Sequence, residues 1–303
     1  MQVVNKELLY TYPKLDWFMI EKRHFKNGGS QALKYRFFSD CHMHSDCSRD
    51  AEDPAMMMCE AAERQGLYAI TLTDHCECDV YEKEDYNRSV RQSYFEAKKA
   101  SAVFQGKLRV YAGVELGQPL HNLDATQDVF STCDFDFVLG SLHNLRGMED
   151  FYYLDYNEQD VDALLARYFD EILEMVRWNG FDSLAHLTYP YRYIVGEKGI
   201  PAPLYPEFGD RIDEILSLLA RNHKALELNT SGLRQKLGQT LPPLEVLRRF
   251  RQLGGTYVTI GSDAHRWGDI GAGVETGLSM LLQAGFDRFT IYVGREPVLL
   301  PIE

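Results

Sequence analysis

Residues 36–50, RFFSDCHMHSDCSRD, run from an apolar stretch into two histidines separated by one residue. On a β-strand the side chains at i and i+2 leave the same face, so His42 and His44 can reach one ion together, whereas a helix would turn them apart. The stretch therefore reads as a strand with a pair of metal ligands at its C-terminal tip. That arrangement recurs. TLTDHCE (71–77) carries His75, and LRVYAGVE (108–115) closes on Glu115. FDFVLGSLH (135–143) and FDSLAH (181–186) close on His143 and His186, and TYVTIGSDAH (256–265) closes on Asp263 and His265, again two apart. A lone histidine past a strand is usually a solvated loop residue or a hydrogen-bonded core group. Repetition at the same end of successive apolar runs, in a chain of nine histidines, argues instead that these residues converge. His24, His121 and His223 lack that position or pairing and stay outside the set. Imidazole suits zinc, iron or manganese, and carboxylates can bridge two ions, so the pattern predicts a polynuclear metal site at one mouth of a barrel.

The segments between the strands support that architecture. PAMMMCEAAERQG (54–66) precedes AITLT, with Asp53 placed to cap and Pro54 at the first helical position. VDALLARYFDEILEMVRWNG (161–180), DRIDEILSLLARNH (210–223) and LEVLRRFRQLGG (244–255) each precede a strand-like run. Repeated helix–strand units imply a parallel sheet, and ligands at every strand end imply closure into a barrel. Gly66, Gly180 and Gly254 are expected to end helices. FTIYVGREPVLLP (289–301) is expected to add a strand at the barrel edge.

With 303 residues and no Pro/Gly/Ser-rich linker, the chain reads as one large domain, residues 36–303, preceded by a weakly patterned extension, residues 1–35, that packs on the barrel or on a partner. No apolar stretch approaches the roughly 18 residues that span a bilayer. The N-terminus lacks the features of a secretory signal, and six cysteines without framework spacing fit a reducing compartment, so a cytoplasmic location is expected. Cys41, Cys47, Cys76 and Cys78 lie near the proposed ligands but read as buried thiols. A net charge of −13 argues against a nucleic-acid-binding surface, yet local cations can still attract a small anion. The oligomeric state is not legible.

The HxH opening, TDH, the strand-terminal glutamate, GSLH, AHL and GSDAH together resemble the polymerase and histidinol phosphatase (PHP) family, over about residues 36 to 295. LELNTSGLR (226–234) and the chain length are most similar to its histidinol-phosphatase branch. The resemblance implies a distorted TIM-like (β/α)7 barrel with a trinuclear centre at the C-terminal end of the strands, holding two to three divalent ions of zinc, iron or manganese. It assigns His42, His44, Glu115 and Asp263 to one ion, Glu115, His143 and His186 to a second, and Asp50, His75 and His265 to a third. Asp46 is the alternative to Asp50 in the same loop. Glu115, His75 and Asp263 are assigned to catalysis as well as to ligation. Arginines in two further blocks, Arg192 and Arg234, are expected to clamp phosphate from outside the metal set, with Ser231 and Asn229 beside them.

Such a pocket suits a phosphate monoester, because clustered metals supply a Lewis acid, an activated water and a template without a protein nucleophile. The expected activity is hydrolysis of histidinol phosphate in histidine biosynthesis. A phosphatase or phosphodiesterase acting on another small phosphate ester or nucleotide is the alternative, and a metal-stabilised scaffold or polymerase-associated domain is the reading from another class. Histidinol phosphate carries an imidazole and an ammonium group, for which Glu77, His121, Tyr189 and Tyr191 are candidate partners.

Overall fold

Alternating strands and helices build the molecule, and the computed structural model describes residues 34–205 and 207–303. In chain order the elements are β1 (Ser39–Met43), α1 (Ala55–Gln65), β2 (Ala69–Leu72), β3 (His75–Glu77), α2 (Tyr86–Val103) and β4 (Arg109–Gly117). Next come α3 (Leu123–Thr132), β5 (Phe137–Ser141), α4 (Val161–Trp178), β6 (Ser183–Leu184), α5 (Gly209–Arg221) and β7 (Ala225–Asn229). The chain ends with α6 (Leu244–Gln252), β8 (Val258–Gly261), α7 (Val274–Ala284), β9 (Arg288–Val293) and β10 (Glu296–Pro301). Seven parallel strands lie in the order β1-β2-β4-β5-β6-β7-β8, and β3 pairs with β4 past the end of β2. The two ends of this sheet meet. His44 donates its backbone N–H to the Ala264 carbonyl at 2.8 Å, and Asp263 donates to His42 at 2.8 Å. The expected TIM-like (β/α)7 barrel is therefore the observed fold.

The helices bury one face each. In α4 that face is Leu164, Leu165, Tyr168, Phe169, Ile172, Leu173 and Val176, the i, i+3, i+4 pattern of an amphipathic helix laid on a sheet. Asp160 caps its start by accepting from Ala163 N–H at 3.1 Å. Asn179, at φ 64°, takes the left-handed position at its end that the sequence assigned to Gly180. At α1, Pro54 occupies the cap itself and Asp53 accepts instead from Trp267 N–H at 2.7 Å, so that carboxylate ties two loops together rather than capping. Within the methionine run only Met58 is fully buried, while Met57 is exposed. Among the described residues no helix is long and apolar enough to cross a membrane.

The C-terminal segment is not an edge strand of the barrel. β9 and β10 form a separate antiparallel hairpin. Tyr292 stacks on Phe137 at 5.2 Å, Gly294 N–H reaches Asp136 at 3.0 Å and Arg295 holds Asp182 at 2.9 Å. Asp136 and Asp182 immediately precede β5 and β6, so the hairpin covers the N-terminal mouth and leaves the C-terminal mouth open. Of the extension expected over residues 1–35, all but Lys34 and Tyr35 lies outside the described residues; Tyr35 is buried, with its hydroxyl 2.8 Å from Ser279 on α7.

Asp40 locks the β1–β8 seam. Its buried carboxylate accepts from the backbone N–H groups of Ser262 and Gly271, each at 2.8 Å, and from the Ser262 hydroxyl. Burial pushes its pKa up, against the pull of those hydrogen bonds. Asp40→Ala leaves these donors unpaired, and at about 1–3 kcal/mol for each buried orphan the variant should lose roughly 2–5 kcal/mol in urea unfolding. An unchanged unfolding midpoint would show that the seam closes without it.

Candidate metal centre

Six histidines project over the open mouth because each sits in a strand or in the first few residues beyond one. His42 and His44 leave β1 on one face, as the two-residue period requires. The parallel register sets His75 of β3 opposite Glu115 of β4. His143 and His186 follow β5 and β6, and Asp263 and His265 follow β8. Glu115 is fully buried at the centre. Its Oε1 lies 2.8 Å from His186 Nε2 and 3.1 Å from His143 Nε2. Its Oε2 lies 3.3 Å from His42 Nε2 and 3.0 Å from His75 Nδ1. One carboxylate thus faces two groups of ligands, as a bridge must.

The nitrogen atoms themselves reveal what the site is built for. His42 Nδ1 is 2.6 Å from Glu227, His143 Nδ1 is 3.0 Å from Glu77, and His265 Nδ1 is 3.1 Å from the Asp263 carbonyl. Each partner accepts only, so each Nδ1 carries a proton and Nε2 is the nitrogen left to face the other donors. At His44, Nδ1 faces Ser48 Oγ at 3.2 Å, and that hydroxyl already donates to Asp74, which makes it the acceptor. The Nε2 atoms then meet: His42 and His44 at 3.1 Å, His143 and His186 at 3.4 Å. Nitrogens this close must share a proton or a metal ion, and the carboxylates around them favour positive charge there. Outer carboxylates that orient ligating imidazoles in this way are a general feature of metal sites.

Burial would lower His42, His75 and His143, but the carboxylates around them outweigh it and raise all three. Burial would raise Glu115 and Asp263, but the surrounding histidines, with Arg192 at Asp263, outweigh it and hold both carboxyls well below their ordinary range. His44 is pushed down to about 3, by burial first and then by the like charges of His265 and His75. Four overlapping donor sets emerge: His42, His44 and Asp263; His44, His75 and His265; Glu115, His143 and His186; and His75, Glu77 and His143. This donor chemistry fits divalent transition metals. Asp50 joins the edge of the cluster, 3.1 Å from His265 Nε2 and 3.7 Å from His75 Nε2, whereas Asp46 is exposed and makes none of these contacts. All nine expected ligands are thus brought together. None of the six cysteines belongs to a donor set, and burial pushes the Cys47 thiol up to about 12.

A cavity of about 540 Å³ opens over the cluster. Arg192 lines it, giving Nη2 to Asp263 at 2.9 Å and to Ser231 at 2.8 Å. Ser231 in turn donates to Asn229 at 2.6 Å. Arg234 does not line the cavity; its guanidinium grips the carbonyls of Ser262 and Asp263 at 2.6 and 2.8 Å. Among the partners expected for the rest of the substrate, Glu77 and Tyr189 line the cavity. His121 instead pairs with Glu171 at 3.0 Å, and Tyr191 lines a larger, mostly apolar cleft of about 870 Å³ that holds no metal-donor cluster. Sequence reasoning missed Glu227, Asp74 and Asp40. For Glu227 the signal was available: an acidic residue in the middle of the apolar strand ALELN, on the face of Asn229.

The PHP domain family matches residues 40–231. A protein of Clostridium acetobutylicum described as a probable histidinol-phosphatase is 29% identical over 243 residues, covering 80% of this chain and 91% of its own. The histidinol-phosphatase of Lactococcus lactis is 26% identical over 262 residues, covering 85% and 95%. The crystal structure of the histidinol phosphate phosphatase of L. lactis, complexed with zinc, L-histidinol and phosphate, superposes with a TM-score of 0.70 at 24% identity over 86% of this chain and 98% of that one.

Two substitutions separate ligation from orientation. Glu115→Gln removes the charge that faces both ligand groups, and elemental analysis should find metal per chain at least halved; full stoichiometry would rule out the bridge. Glu227→Ala keeps every donor but frees the His42 ring, so competition with a chelator should read an affinity about 10- to 100-fold weaker.

Proposed function

The chain belongs to the PHP domain family, and we propose that it is a metal-dependent phosphomonoesterase that hydrolyses L-histidinol phosphate to L-histidinol and phosphate. The observation that carries the chemistry is the set of imidazole nitrogens and carboxylates converging around Glu115 below an open cavity. His42, His44, Glu115 and Asp263 would hold one ion, His143 and His186 with Glu115 a second, and Asp50, His75 and His265 a third. When bound, divalent ions activate water, neutralise the phosphoryl oxygens and stabilise the leaving oxygen.

The protein's own groups bind and orient. Arg192 presents a fork of permanent donors at the cavity wall, already aligned by Asp263 and Ser231, so a phosphate meets a guanidinium that loses little freedom on binding. The buried aromatic floor keeps bulk water from competing for these groups: Tyr189 packs against His143 at 4.9 Å and His186 at 5.0 Å. Arg234 holds the backbone that carries Asp263 and contributes to the site through that strand end. The substrate assignment rests on the histidinol-phosphatase relatives, which this chain matches over most of its length.

Purified protein analysed for metal and assayed on histidinol phosphate, nucleotide and sugar phosphates should turn over histidinol phosphate with the highest kcat/KM, and should lose activity on chelation and regain it with zinc, manganese or iron. Preference for a nucleotide would favour the alternative family reading. Arg192→Ala should retain metal yet lose about 10- to 150-fold in kcat/KM, the equivalent of a charged hydrogen bond worth about 1.5–3 kcal/mol. Arg234→Ala should act more on unfolding than on phosphate affinity. The reverse ranking would make Arg234 the phosphate clamp.

A further inference from the structure

Arg192 and Asp150 both meet one side chain in the cavity wall. The Arg192 guanidinium lies over the Tyr189 ring, 5.1 Å from its centroid, while the Tyr189 hydroxyl donates to Asp150 at 3.2 Å. Asp150 also accepts from Tyr152 N–H at 2.7 Å, so its carboxylate is held in place from two sides. It lines the cavity, and among the described residues it has no lysine, arginine or histidine partner within ion-pair distance. The Tyr193 ring stands 5.4 Å from Tyr189, with the two hydroxyls 3.0 Å apart, and the exposed Tyr153 adds an aromatic face at the rim.

A cavity wall with a guanidinium over one face of Tyr189, an uncompensated carboxylate at its hydroxyl and further aromatic faces beside them is complementary to a molecule that carries both an anionic and a cationic group. We propose that Asp150, flanked by Tyr189 and Tyr193, is a specificity-determining residue that receives the positively charged part of a phosphate-ester substrate, its ammonium or imidazolium group, while the phosphate lies toward Arg192 and the metal ligands. This deepens the phosphatase reading and rests on it. A carboxylate accepts hydrogen bonds from either cationic group, and tyrosine faces add cation–π attraction once water is displaced. Esters with an uncharged alcohol part would leave Asp150 desolvated and unpaired, so discrimination arises from a penalty as well as a gain.

The test is a ratio of ratios. Metal-loaded wild type and Asp150→Asn are assayed on histidinol phosphate, phosphoethanolamine and phenyl phosphate, with metal content and circular dichroism checked on each preparation. The preference in kcat/KM for each cationic ester over phenyl phosphate should fall about 10- to 100-fold in Asp150→Asn. If wild type prefers histidinol phosphate and the folded, metal-replete variant keeps the preference, the subsite is wrong and the phosphatase assignment stands. If wild type does not favour histidinol phosphate but Asp150→Asn still lowers the preference for phosphoethanolamine, the substrate assignment fails and the cation subsite survives. Should Asp150→Asn fail to fold, Tyr189→Phe, which removes the hydroxyl that aims the carboxylate, is read on the same ratio and should shift it about 3- to 10-fold; an unmoved ratio overturns the proposal.

Discussion

A carboxylate with no exposed surface, Glu115, is the constraint around which the molecule is arranged. Placing an ionised group in the interior costs several kcal/mol unless charges and hydrogen bonds surround it. Here four imidazoles do so, from strand ends β1, β3, β5 and β6, and the barrel is the scaffold that can deliver them all to one point. Parallel strands end together at one mouth, and the fixed register between neighbours, His75 opposite Glu115 for instance, sets the spacing of the strand-borne donors and starts the short loops that carry the others.

Space for this arrangement comes from what is missing. A Cβ on Gly117 would fall 2.2 Å from the Glu77 carboxylate, and one on Gly261 would fall 2.2 Å from His42 Cβ and 3.0 Å from Glu227. The two glycines therefore make room for the two carboxylates that fix imidazole tautomers. Orientation of His143 and His42, and with it the direction of the Nε2 lone pairs, depends on bare backbone one strand away. The second layer is as specific as the ligands, and much of it consists of acidic groups: Glu77, Glu227, and Asp74 acting through Ser48.

That acidic layer also reconciles an overall charge of −13 with an anionic substrate. Many of the carboxylates near the mouth are committed to histidines or to serine and backbone donors inside the fold. Arg192 is committed to Asp263, a member of the histidine–carboxylate cluster, so the guanidinium at the cavity wall and that cluster form one connected network. Substituting one member is expected to disturb its neighbours, and effects within this network should not add.

The sequence by itself determined the repeating helix–strand order, the barrel class and the candidate ligands, because strand period and residue chemistry are local properties: HxH and DxH at strand tips are readable without knowing what they face. The structure then distinguished Asp50 from Asp46 by position, since only one of two carboxylates in the same loop reaches His265. It also moved Arg234 from the cavity wall to the strand-end carbonyls, turned the C-terminal segment into a hairpin under the opposite mouth, and brought Glu227 and Asp150 to the site. Those outcomes depend on contacts between residues far apart in the chain, His42 with Glu227 or Tyr189 with Asp150, whose geometry exists only once the strands have closed into a ring.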